Sequence, residues 1–152
     1  MSGTAELARW IGPSRPREAG GLADREAIRQ LPMIYALGVD MRDFDLAFSA
    51  FSADAFVDGN FGQAPVREYL DRVLTNNAVF AATQHHITNQ YVSMDGGEAL
   101  IWSYVVAYHI RPEASGEDDI IVGTQYRDSC RYDQGAWVIV RRKSEMQWTR
   151  GR

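Results

Sequence analysis

Two periodicities divide this chain. From residue 24 to about residue 74, apolar side chains recur at three- and four-residue spacing. From about residue 83 to residue 148 they alternate with polar ones. In the first part, Ile28, Leu31 and Tyr35 mark the inner face of a helix that Asp24 is placed to cap. Pro32 lies inside that pattern and is expected to kink the helix, which runs out near Gly38-Val39-Asp40. Phe44, Leu46, Ala47, Phe48 and Phe51 predict a short second helix, and Phe56-Val57 a short strand closed by Asp58-Gly59. Pro65 opens a third helix through Val66, Tyr69, Leu70, Val73 and Leu74. The alternating part predicts four long strands, 83–94, 98–111, 119–132 and 136–148. Asp95-Gly96-Gly97 and Asp133-Gln134-Gly135 serve as compact turns, and a polar loop covers 112–118. Helices followed by antiparallel strands imply an α+β fold rather than a parallel βαβ sheet. Residues 1–22, broken by Gly12, Pro13, Pro16, Gly20 and Gly21, read as a lead-in whose Trp10 could pin it to a neighbouring subunit. Residues 23–152 read as a single domain.

Alternation also sorts side chains by face. Along strand 98–111, Leu100, Trp102, Tyr104, Val106 and Tyr108 form a bulky face, whereas Ile101, Ser103, Val105, Ala107 and His109 form a small one. A small face leaves room for a cavity and a bulky face can seal a subunit contact, although periodicity alone allows the two to be exchanged. Along 83–94, His85, Ile87, Asn89 and Tyr91 oppose the more polar Gln84, His86, Thr88 and Gln90, so His85 is expected inward. In the last strand Val138, Val140, Arg142, Met146 and Trp148 share a face, with Trp137, Ile139 and Arg141 opposite. Arg142 would be a permanent cation among apolar neighbours and needs a carboxylate, a carbonyl or an anion; the pattern does not choose firmly between Arg141 and Arg142.

Composition narrows the function classes. The 152 residues are 45% hydrophobic and 24% charged with a net charge of −4, as in an ordinary globular domain. The acidic balance argues against nucleic-acid binding. Cys130 stands alone, which excludes a disulfide framework and fits a cytoplasmic setting. No apolar run is long enough to span a membrane, and residues 1–7 lack the pattern of a secretory signal. Four Trp, seven Tyr and six Phe are enough to line an apolar pocket as well as a core.

No nucleotide-binding glycine loop, HExxH or CxxC is present. His85 and His86 are adjacent on a strand and point to opposite faces, so a metal site is not expected. What remains is a carboxylate, Asp40, and an imidazole, His85. Asp40 sits at the negative end of a helix, where the dipole does not favour it; a surface carboxylate beside Arg42 is the plain alternative.

Several stretches carry a resemblance. They are Tyr35…Gly38-Val39-Asp40…Arg42-Asp43; Phe51-Ser52-Ala53-Asp54-Ala55; His85-His86-Ile87-Thr88-Asn89; Asp95-Gly96-Gly97-Glu98-Ala99; Gly123-Thr124-Gln125-Tyr126-Arg127-Asp128; and Gly135-Ala136-Trp137-Val138-Ile139-Val140-Arg141-Arg142. In order and spacing, the region from about 23 to 148 resembles the SnoaL-like branch of the NTF2-like superfamily. Within it, the chain is similar to the scytalone dehydratases, hexachlorocyclohexane dehydrochlorinases and bile-acid 7α-dehydratases. The resemblance implies a cone-shaped α+β barrel, with helices packed on a strongly curved, mostly antiparallel sheet, and a cofactor-free lyase built on an Asp–His dyad. Asp40 and His85 match the dyad, Tyr35 the tyrosine before the Asp, His109 a second histidine, and Arg142 an inward arginine on the last strand. The lysine that the dehydrochlorinases carry in the first helix has no match, so dechlorination is not expected.

In that pattern the imidazole is the base, and the carboxylate fixes its tautomer and stabilises the imidazolium. Tyr35 or Arg142 could stabilise an enolate oxygen, and His109 or a water could protonate a leaving hydroxyl. The expected reaction is β-elimination of water or another small leaving group from a small, largely apolar aromatic or polycyclic substrate, in a homotrimer or homodimer. An isomerase using the same dyad, a non-catalytic ligand-binding module and a subunit of a ring-hydroxylating oxygenase are the alternatives.

Overall fold

A computed structural model describes residues 21–151; the predicted lead-in, Trp10 included, falls almost wholly outside them. The described chain runs α1 (Leu22–Asp40), α2 (Phe44–Ser49), β1 (Phe51–Gly59), β2 (Gly62–Pro65), α3 (Val66–Asn77), β3 (Ala82–Asp95), β4 (Glu98–Ile110), β5 (Ile120–Asp133) and β6 (Ala136–Arg150). The strands form one six-stranded sheet in the order β2-β1-β6-β5-β4-β3. β1 and β6 pair in parallel and every other neighbouring pair is antiparallel. The sheet is mixed and open, with β2 and β3 at its edges, and the helices pack against it in an α+β arrangement.

The small face of β4 is the inner one. Ile101 and Val105 are buried there with Ile28, Leu31 and Val39 of α1 and Ile139 of β6. Each such side chain contributes about 1.5–3 kcal/mol by leaving water. The bulky face of β4 looks outward, where Arg127 lies 4.1 Å over the ring of Trp102.

Several predicted boundaries move, each for a local reason. Helix α1 begins at Leu22 rather than after Asp24, with Gly21 in the cap position at φ 101°. Asp24 stands inside the first turn and accepts a hydrogen bond from Trp137 Nε1 at 2.9 Å, so its carboxylate ties the helix to β6 instead of capping it. The helix continues through Pro32 without interruption. Phe51 opens β1 rather than closing α2. The backbone there turns into parallel pairing with β6, and Ile139 N–H donates to Ala50 O at 2.9 Å. β1 is therefore nine residues long and not a two-residue strand. Pro65 both ends β2, a strand too short to show a period, and stands at the cap position of α3, the helix start that it predicts.

Two bulges overturn the simple face assignments. In β3 the register shifts at Asn89, which has φ 32° and is exposed. His85 and Ile87 precede the shift and face inward. Beyond it Tyr91 crosses to the outer side beside Tyr104, at 6.4 Å between rings, while Val92 and Met94 take the inner side. In β6 the register shifts between Ile139 and Arg141, opposite Cys130 and Ser129. Trp137, Ile139 and Arg142 are consequently all buried, although strict alternation puts Arg142 opposite the other two. An extra residue in one strand re-aims every side chain after it.

Candidate functional site

Asp40 is the last residue of α1. Gly38 lets the chain turn back tightly there: a Cβ on it would stand 2.3 Å from Ala47 N, so α2 packs directly against the end of α1. This brings the Asp40 carboxylate over the open edge of β3. An edge strand has backbone N–H groups without a strand partner, and Asp40 Oδ2 accepts one from His85 N at 2.8 Å. Oδ1 accepts from Thr83 Oγ1 at 3.0 Å and lies 2.6 Å from His85 Nδ1. Thr83 Oγ1 itself accepts from Arg42 Nη1 at 2.8 Å, which commits its proton to Asp40. Arg42, held at φ 58°, also donates to the carbonyls of Val39, Asn77 and Phe80. Arg42 therefore binds the frame around Asp40 and does not pair with its carboxylate directly.

Burial works against ionisation of Asp40, but the hydrogen bonds from the His85 ring and backbone and from Thr83 outweigh it, and the pKa is lowered. An ionised carboxylate only accepts, so Nδ1 of His85 donates to it and Nε2 is the ring nitrogen outside that contact. The His85 side chain is 8% exposed and Asp40 19%. His86, on the opposite face, is exposed beside Tyr108.

His85 lines a cavity of about 230 Å³ bounded by α1, α3 and the inner face of the sheet. His109 lines it too. Its ring meets that of His85 edge-on at 5.9 Å between centroids, and its Nδ1 is buried without a hydrogen-bond partner. Burial, reinforced by the neighbouring His85, holds its pKa below the ordinary histidine value. Tyr35 stands in the same wall, edge-on to Phe51 and Tyr126 at 5.8 Å each. Burial pushes its phenol far above the ordinary range, so it remains a hydrogen-bond donor.

Arg142 belongs to the same wall. It is 1% exposed and forms a bidentate pair with Asp128, Nε to Oδ1 and Nη2 to Oδ2 at 2.7 Å each. The two residues are direct partners in the β5–β6 register. Tyr126 and Tyr35 lie 4.1 and 4.3 Å from the guanidinium carbon. Burial opposes the charge, but the carboxylate overrides it and the pKa is raised. Arg141, by contrast, is exposed.

The five residues singled out from sequence are thus brought together: His85, His109, Tyr35 and Arg142 line one cavity, and Asp40 holds His85 from behind. Sequence reasoning missed Asp128, Tyr126, Thr124, Tyr69 and Asn77. Alternation places Thr124, Tyr126 and Asp128 on one face of β5, a signal within reach of the pattern. Tyr69 and Asn77 are buried on α3, and Asn77 lies at the very end of its helix, where the apolar stripe no longer marks the inner face. Among the described residues no group of His, Cys, Asp and Glu converges as a metal site. No described helix is long and apolar enough to cross a membrane.

Comparison with known proteins bears on this arrangement. The model of the SnoaL-like domain family matches residues 21–143. Among solved structures, a provisionally named scytalone dehydratase from Novosphingobium aromaticivorans DSM 12444 superposes with a TM-score of 0.76 at 24% identity, covering 87% of this chain and 89% of that one. The hexachlorocyclohexane dehydrochlorinase LinA-type3 from Novosphingobium barchaimii LL02 gives 0.74 at 19% identity, with 86% and 91% covered. A provisionally named aromatic ring hydroxylase from Novosphingobium aromaticivorans gives 0.71 at 25%, with 91% and 96% covered. Among curated protein sequences none matches this chain.

Proposed function

Because this chain belongs to the SnoaL-like domain family over residues 21–143, we propose that it is a cofactor-independent lyase that eliminates water from a small β-hydroxy carbonyl compound. The observation that carries this reading is the 2.6 Å contact between Asp40 Oδ1 and Nδ1 of His85, whose ring lines the cavity. Similarity of fold to a dehydratase and a dehydrochlorinase supports it.

The step follows from the residues present. His85 Nε2 takes the proton from the carbon beside the substrate carbonyl, and Asp40 stabilises the imidazolium that forms. The electron pair moves onto the carbonyl oxygen, where a phenol kept protonated by burial, such as Tyr35, donates a hydrogen bond. The pair then returns, the C–O bond of the β-hydroxyl breaks, and the proton on His85 passes to the departing oxygen. His109, held neutral by its surroundings, relays that proton rather than supplying one of its own. The products are an enone and water, and the protein is left as it began.

The cavity sets the size of the substrate. An apolar cavity of ~150 Å³ holds a benzene molecule, so about 230 Å³ takes one ring with a few substituents. The test is incubation of the protein with 3-hydroxycyclohexanone and related single-ring β-hydroxy ketones, following conjugated-enone absorbance. Enone formation that is lost in His85→Ala is expected. No enone formation, together with no exchange of the α-protons in D₂O, would overturn the reading.

A further inference from the structure

A buried arginine in a cavity wall ordinarily marks an anion site, and at first sight Arg142 fits: it is almost wholly buried and its Nη1 has no partner. The surroundings of that guanidinium say otherwise. Asp128 takes Nε and Nη2, the edge whose parallel N–H groups match a carboxylate best. Tyr35 and Tyr126 lie against the group at 4.3 and 4.1 Å, with Phe51 at 5.1 Å. What is left is one nitrogen, enough for a single acceptor oxygen and not for a second bidentate pair.

The charge balance points the same way. Among the described residues that line the cavity, Arg142 is the one permanently charged side chain, and Asp128, paired with it behind the lining, offsets that charge. Buried charges act on a bound ligand with little screening. An anion entering this cavity would gain no net attraction from that neutralised pair and would lose its hydration as well.

We propose that the cavity selects electrically neutral carbonyl compounds against carboxylates, and that Asp128 sets this preference by cancelling the charge of Arg142. The proposal rests on the reading above only in taking this cavity as the substrate site; it does not depend on turnover.

The experiment compares acetophenone with benzoate, similar in size and different in charge, by NMR titration of the full chain at neutral pH. The His85 and His109 ring resonances report occupancy of the cavity. Acetophenone is expected to bind at least tenfold more tightly than benzoate. Benzoate binding as well or better overturns the selection, whatever the catalytic outcome. Failure of both probes to move either histidine overturns the cavity as a ligand site, and the functional reading with it. In Asp128→Asn the gap is expected to narrow at least tenfold through a gain for benzoate, with acetophenone changed less than threefold; an unchanged gap removes the role of Asp128. Should that variant not fold, the double variant Asp128→Leu, Arg142→Met removes both charges at once. It is expected to keep the wild-type ranking, and a switch to benzoate would overturn the proposal.

Discussion

Two acid–base pairs face each other through this cavity, and they are built in opposite ways. Asp40 and His85 sit at the ends of elements, one closing α1 and the other on the edge strand β3, and both keep some contact with solvent. Asp128 and Arg142 sit in the middle of adjacent interior strands, paired across the register and almost wholly buried. The first pair contains an imidazole, a proton-transfer group; the second contains a guanidinium, which is not one. A proton-moving pair needs access and adjustable charge, whereas a fixed pair needs complete satisfaction, because an unmatched buried charge is expensive. The fold supplies the first at its edge and the second at its centre.

The comparison breaks most visibly if the dyad is altered without unfolding the protein. Asp40→Asn keeps the shape but can present its amide to His85, which favours the wrong tautomer. A loss of about 10⁴-fold in kcat is expected, the magnitude seen when the equivalent change is made in catalytic triads. His85→Ala should lose about 10²–10⁴-fold, the usual contribution of a general base. Circular dichroism and thermal unfolding should show both variants folded. Retained turnover in either would mean that the pair at the cavity edge does not do the chemistry.

Disrupting the central pair should act on stability instead. Asp128→Ala strands the Arg142 guanidinium in the core and is expected to cost about 3–5 kcal/mol in urea unfolding. Replacing both partners, Asp128→Leu with Arg142→Met, should recover most of that loss, since no charge is then left unpaired. If the double variant were as unstable as the single one, the loss would belong to packing and not to the uncompensated charge.

Between these lies Gly38, which fixes where the edge pair sits. Its Cβ position is 2.3 Å from a backbone nitrogen of α2, so Gly38→Ala requires a helix to move and not merely a side chain to rotate. A cost of about 1–3 kcal/mol is expected from overpacking. Turnover should fall as well, because Asp40 lies two residues further along the same helix end. A fully stable and active variant would show that the close approach of α1 and α2 is not what places the carboxylate.

The two pairs also differ in how far the amino-acid sequence alone reveals them. The elements, the α+β class and the inward face of β4 are legible because long alternating and helical runs report burial directly. Alternation marks His85 as inward, but Asp40 and His85 become a candidate pair only through the resemblance, which matches them to an Asp–His dyad. The partner of Arg142 is not. Periodicity says which face a residue takes along its own strand, but the pairing of Asp128 with Arg142 is a matter of register between strands. A bulge beside Arg141 shifts both the register and the face. The same blindness to an inserted residue makes alternation send Asn89 and Tyr91 inward, when the bulge at Asn89 turns both away.

The smallest expected effect concerns pH and uses the histidine between the two pairs. His109 is shifted below its ordinary value of 6.5, chiefly by burial and then by His85, so the folded state prefers it neutral. That preference stabilises the protein fully above pH 6.5 and is lost as the pH falls below that value toward the lower value in the fold. Asp40 is also lowered, from 3.8, so its contribution disappears only in much stronger acid. Urea unfolding followed from pH 8 downward should therefore show a first loss of stability beginning near 6.5 that is absent in His109→Phe and still present in Asp40→Asn. If the first loss persisted in His109→Phe, the group responsible would lie elsewhere.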